Sequence, residues 1–216
     1  MTTLLALETS GALCSVAVWR EQERFEDTRN VRRMHNQVLL EMIDGLTERA
    51  AVEPSEFDAV AFGAGPGSFT GVRIAAATAQ SIALVAGAVI VPVASSRAMV
   101  VASALRAGKV VSVTRSRGDA YYLAGYEYRA QEWELVLDDA LHSEWPTMLL
   151  NGAWEFVGER PVWSEVEGMP QWRGAAAVDS NHIAELGLQQ FLAAGGLDPA
   201  DGLPRYVSGD TPWQPS

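Results

Sequence analysis

The chain has 216 residues, enough for one large domain or two small lobes, and its 48% of hydrophobic residues can fill a core. Asp and Glu outnumber Lys and Arg by 27 to 16, a formal net charge of −11. So acidic a chain makes a poor general surface for a polyanion, whose affinity rests on neutralised phosphates. No apolar run reaches a membrane span, the start MTTLLALETS lacks the basic stretch of a signal peptide, and Cys14 alone excludes an internal disulfide or a cysteine-bound metal. A cytoplasmic protein with no membrane partner is expected.

Leu4–Leu7 and Cys14–Trp19 read as strands joined by the polar turn Glu8-Thr9-Ser10-Gly11, and Phe25–Thr28 adds a third. From His35 to Val52 the apolar Val38, Leu39, Met42, Ile43 and Leu46 form one stripe of an amphipathic helix. A short helix over Glu53–Phe57 leads into a strand at Val60–Phe62. The strand enters a turn holding Gly63, Gly65, Pro66, Gly67 and Gly71, residues that supply the backbone angles of a tight strand-to-helix crossing. The following helix, Gly71–Val85, carries Val72, Ile74, Ala75, Ala79 and Ile82, and Ser68 or Thr70 caps it. Free N–H groups at such a helix start suit an anion.

Two familiar loops fail on spacing. A P-loop needs Lys and then Ser/Thr after its last glycine, whereas Val72-Arg73 follow Gly71. The dinucleotide fingerprint is missed by one residue between Gly67 and Gly71, and no acid falls between Asp58 and Asp119. A βα turn whose glycines serve packing alone is the plain alternative. The same acid-free stretch carries Arg73, Arg97, Arg106, Lys109, Arg115 and Arg117, read as solvated side chains or as a face for a nucleotide or acidic partner.

Val89–Val93 reads as a covered strand and Ser95–Leu105 as a helix. Val110–Thr114, Tyr121–Tyr128 and Trp133–Leu137 read as meandering strands, with Arg115–Asp119 a turn. From Ser143 the chain loses regularity around Trp145-Pro146, Trp163 and Trp172, a composition of loops and short strands. Ser180–Ala194 is a final helix with Ile183, Leu186, Leu188 and Phe191 apolar, capped by Asn181 or Ser180. No internal repeat is visible. His35, His142 and His182 are isolated, so no His pair for a metal exists, and no G-x-S-x-G elbow is present. No catalytic residue is assigned and no metal is expected.

The string Gly65–Leu84, GPGSFTGVRIAAATAQSIAL, closely resembles the signature of the TsaB (YeaZ) family. That family is the bacterial non-catalytic partner in making threonylcarbamoyl-adenosine on tRNA. The resemblance covers residues 1–128 well and the C-terminal third loosely. Glu8-Thr9-Ser10 stands where relatives often have Asp-Thr-Ser, and His35-Asn36-Gln37 where they tend to have His-Ser-Glu. Thr114 replaces an expected Asp, and Leu203-Pro204-Arg205-Tyr206-Val207-Ser208 resembles a Pro-x-Tyr-Leu-Arg ending with Ser208 in place of Arg. The Gln37 and Thr114 differences remove a general base and a carboxylate ligand for Mg²⁺.

The resemblance implies an α/β fold of the actin/Hsp70-like ATPase type, in two lobes with the second reduced. A first lobe over about 1–100 is expected, with helix 180–195 packing back on it, then a smaller lobe over 101–180 and a tail over 196–216. It implies a phosphate-loop-like motif at Glu8, Thr9, Ser10, Gly65, Pro66, Gly67, Ser68, Phe69, Thr70, Gly71 and Arg73. It also implies a scaffold that docks on a TsaD-like catalytic transferase subunit, works beside a TsaE-like ATPase subunit, and pairs with itself when alone. Contact with tRNA comes only through the complex. No cofactor is firmly implied, and ATP or ADP at the interface with the catalytic partner is left open. Docking is expected through Val38, Leu39, Met42, Ile43 and Leu46 on one helix and Val72, Ala75, Ala76 and Ala79 on the other. The rivals are a stand-alone phosphotransferase of the same fold, which lacks an obvious carboxylate partner for Glu8, and a glycoprotease-like metallopeptidase, which lacks the His pair.

Overall fold

The computed structural model describes residues 2–31, 34–150, 153–164, 172–174 and 177–207. The chain forms two compact units, Met1–Ser95 with Val178–Arg205, and Ser96–Ala177 with Tyr206–Ser216. In the first, β1 (Thr3–Glu8), β2 (Leu13–Arg20) and β3 (Glu23–Asn30) form an antiparallel meander, with Thr3 opposite Arg20 and Glu8 opposite Ser15. β1 is buried along its whole length, whereas β3 is a charged edge of alternating exposure.

α1 (His35–Ala50) turns its apolar stripe inward and ends on Ala51 in the left-handed conformation. β4 (Ala59–Gly63) then pairs parallel with β1. α2 (Phe69–Ala86) is capped by Ser68, whose Oγ accepts the Gly71 N–H at 3.3 Å, and stops at Gly87 with φ of 69°. β5 (Val89–Val93) pairs parallel with β4 and completes the order β3-β2-β1-β4-β5. Alternation along the strands splits the sheet's two faces. Leu5, Leu7, Val60, Phe62 and Ile90 join α1 and α2 in one core. On the other face Ala61 and Val93 meet Gly187 of α5 (Ser180–Ala194).

The second unit has α3 (Ser95–Ala102) at its start, then the meander β6 (Lys109–Arg115), β7 (Tyr121–Arg129) and β8 (Glu132–His142). After α4 (Thr147–Leu150), β9 (Trp154–Gly158) pairs parallel with β6, giving the order β8-β7-β6-β9. The arrangement repeats the first sheet without its fifth strand: an antiparallel meander, then a parallel strand on the free side of the first.

Several expectations need correction. The helix expected to reach Leu105 stops at Ala102. β8 runs past Leu137 to His142, and the stretch after Ser143 holds the short strand its composition implied, β9, together with α4, which it did not. α5 is capped by Asp179, which accepts the Asn181 and His182 N–H groups, not by Ser180 or Asn181. Its alternative is used up: the Ser180 hydroxyl is buried in a bond to Ser15 Oγ. The expected tail is held down to Arg205. Leu197 bridges Ile90, Gly202 packs on the Ile90 side chain, and the Arg205 N–H donates to Ala64 O at 2.8 Å. Ser208 and the residues after it lie outside the described residues.

Candidate functional site

The phosphate-loop-like residues meet within the first unit, where the β1–β2 turn presses into the β4–α2 loop. Thr9 Oγ1 donates to Gly71 O at 2.7 Å, and the Ser68 N–H donates to Ser10 O at 2.7 Å. Glu8, 1% exposed, accepts the Ser10 N–H and, at 3.4 Å, the Ser95 hydroxyl. Ser95 ties the two segments together, because its Oγ accepts the Gly65 N–H at 3.1 Å and its N–H donates to Gly65 O at 2.8 Å. Burial holds the Glu8 carboxyl above the usual carboxylate range, against the pull of the hydrogen bonds from Ser10 and Ser95.

The glycines make room for this contact. A methyl group on Gly71 would collide with Thr9 O, one on Gly63 with Glu8 Oε2, and one on Gly67 would lie 2.7 Å from Ser10 O. Gly65 sits at φ of 97°, before a cis peptide to Pro66, a backbone that side chains rarely adopt. The space beside the loop is therefore filled by Glu8, Thr9 and Ser10. On this side the loop packs against its own chain, while Ser68, Thr70 and Gly71 also border an open cleft. Phe69 and Arg73, on the first turns of α2, pair with each other, the guanidinium 3.5 Å from the ring centroid.

Beside the contact lies a cleft of about 990 Å³, lined by the Gly11-Ala12 turn, His35 and Asn36 at the start of α1, the α2 cap Ser68, and Thr70, Gly71 and Ile74 on α2. His35 is 7% exposed and its Nε2 bonds Leu13 O at 3.2 Å; a carbonyl only accepts, so Nε2 carries the proton. His35, isolated in the sequence, shares this cleft with Ser68 and Thr70 from more than thirty positions away, a meeting that no local pattern carries. Among the described residues no three His, Cys, Asp or Glu side chains cluster to hold a metal.

The expected docking residues lie elsewhere than on an open surface. Leu39, Met42, Ile43 and Leu46 are buried, as are Val72, Ala75, Ala76 and Ala79, with Val38 partly so. Apart from Val72, all of them pack in or against the core over the first sheet. The sheet needs this apolar stripe as its own cover, so no surplus is left for a partner. The outward face of α2 is different: Arg73, Ala77 and Ser81 are exposed, Leu84 is 73% exposed and Val85 81%, and α1 adds Leu40 at 60%.

Known proteins match this architecture. A family model described as "TsaD: tRNA N6-adenosine threonylcarbamoyltransferase" matches residues 28–149. The chain is similar to the tRNA threonylcarbamoyladenosine biosynthesis protein TsaB of Haemophilus influenzae, 41% identical over 97 residues, which are 45% of this chain and 41% of that protein. It is also similar to the TsaB of Escherichia coli, 30% identical over 163 residues, 72% of this chain and 70% of that protein. Among solved structures, YeaZ from Pseudomonas aeruginosa aligns with a TM-score of 0.80 at 31% identity, covering 96% of this chain and 100% of that one. A crystal structure of a protein with similarity to peptidase YeaZ from Pseudomonas aeruginosa aligns with a TM-score of 0.82 at 31% identity over the same shares. The loop closed by Glu8-Thr9-Ser10, the five-stranded mixed sheet and these relatives agree, and the chain belongs to the TsaB (YeaZ) family.

Proposed function

We propose that this chain takes part in making threonylcarbamoyl-adenosine on tRNA as a non-catalytic scaffold, docking on a TsaD-like catalytic subunit in the cytoplasm. The observation that carries the scaffold reading is the closed β4–α2 loop. The side of this loop on which Gly63, Gly67 and Gly71 lie is occupied by the chain's own Glu8-Thr9-Ser10 turn, so these glycines serve packing. The repeated sheet topology supports an actin/Hsp70-like fold with a reduced second lobe. The names of the relatives support the pathway. A TsaE-like ATPase completes the assembly, and tRNA is met only through the complex.

Docking uses the outward face of α2, where the exposed Leu84 and Val85 at its C-terminal end form the apolar part of a face that also carries Ala77 and Ser81. The same face pairs two copies when the protein is alone. Leu84→Glu combined with Val85→Glu tests this, since both side chains stand in solvent and the change leaves the core intact. Sedimentation should show loss of self-association, circular dichroism an unchanged fold, and tRNA from cells carrying only this variant a loss of the modification. A folded variant that still pairs and still supports modification would overturn the assignment of this face.

A further inference from the structure

We draw no further inference here: the strongest candidate, the cleft where the first turns of α1 and α2 meet the β1–β2 turn, carries nothing because its case for an anion rests on two helix N-termini alone, the buried His35 on its wall being already bonded to the Leu13 carbonyl.

Discussion

Replacing Gly71 by alanine adds one methyl group at the tightest point of the site. That methyl would overlap Thr9 O and lie 3.0 Å from Thr9 C and 3.3 Å from Ser10 Cα. All three are backbone atoms of a turn, so no rotamer change relieves the overlap. The turn must retreat, at about 1–3 kcal/mol for overpacking. Retreat also breaks the Thr9–Gly71 hydrogen bond, a further loss of about 1 kcal/mol. The better helix propensity of alanine returns at most about 1 kcal/mol. The net expectation is a destabilisation of about 1–3 kcal/mol, a large share of the roughly 5–15 kcal/mol that holds a domain together. Gly45 supplies the opposite case: it lies in the middle of α1, exposed, with nothing within 4 Å of an added methyl. Gly45→Ala should stabilise by up to about 1 kcal/mol. Urea unfolding followed by far-ultraviolet circular dichroism reads both. A Gly71→Ala midpoint that rises or stays unchanged would show that the clash with the Thr9 turn is not what keeps residue 71 a glycine.

Asp179 and His182 form an ion pair at the start of α5, Oδ1 to Nδ1 at 2.7 Å, and each shifts the other. The His182 bond to Asp179 raises its pKa above 6.5, so its contribution is fully present below 6.5 and is lost as pH rises through the raised value. Asp179 is held below 3.8 by His182 and backbone N–H groups, despite burial, so its contribution is present above 3.8 and lost as pH falls through the lowered value. The stability lost in His182→Ala should therefore be greatest in mildly acidic buffer and shrink above neutral pH. A difference that grows with pH would contradict the pairing. Burial pushes the Cys14 thiol up to about 11 and shuts it inside the sheet. A thiol reagent at pH 8 should then label it no faster than the protein unfolds, and prompt labelling of the native state would be inconsistent with that burial.

Local pattern made much of the first unit legible. The period of Leu39, Met42, Ile43 and Leu46 named α1, and the glycines from Gly63 to Gly71 marked the β4–α2 crossing. That pattern does not say what the stripe faces, because an amphipathic helix reads alike whether its apolar side meets its own sheet or a partner. The residues assigned to docking are core for that reason, and the exposed Leu84 and Val85 looked no different in a helix apolar all round. Short strands were legible in the composition after Ser143, but not the place or partner of β9. Its five residues are ordered by a parallel pairing with β6, some forty-five positions earlier, which no short window contains. The Glu8–Ser95–Gly65 relay was legible in part: the turn and the loop were both visible, and their meeting was not.

The first unit closes only when the chain comes back to it. β1 to β5 end at Val93, yet α5, which lies against β1, β2, β4 and β5, begins at Ser180, and the anchor at Arg205 comes later still. On a ribosome adding about 5–20 residues each second, the stretch from Ser96 to Arg205 takes on the order of 5–20 s. Through that interval Ala61, Val93 and their neighbours face water on the side α5 will cover. The second unit is complete by Ala177 apart from residues beyond Arg205, so during synthesis the inserted unit matures before the one that hosts it. A nascent chain arrested near residue 100 should be protease-sensitive in β1 and β4, and release beyond Arg205 should protect both together.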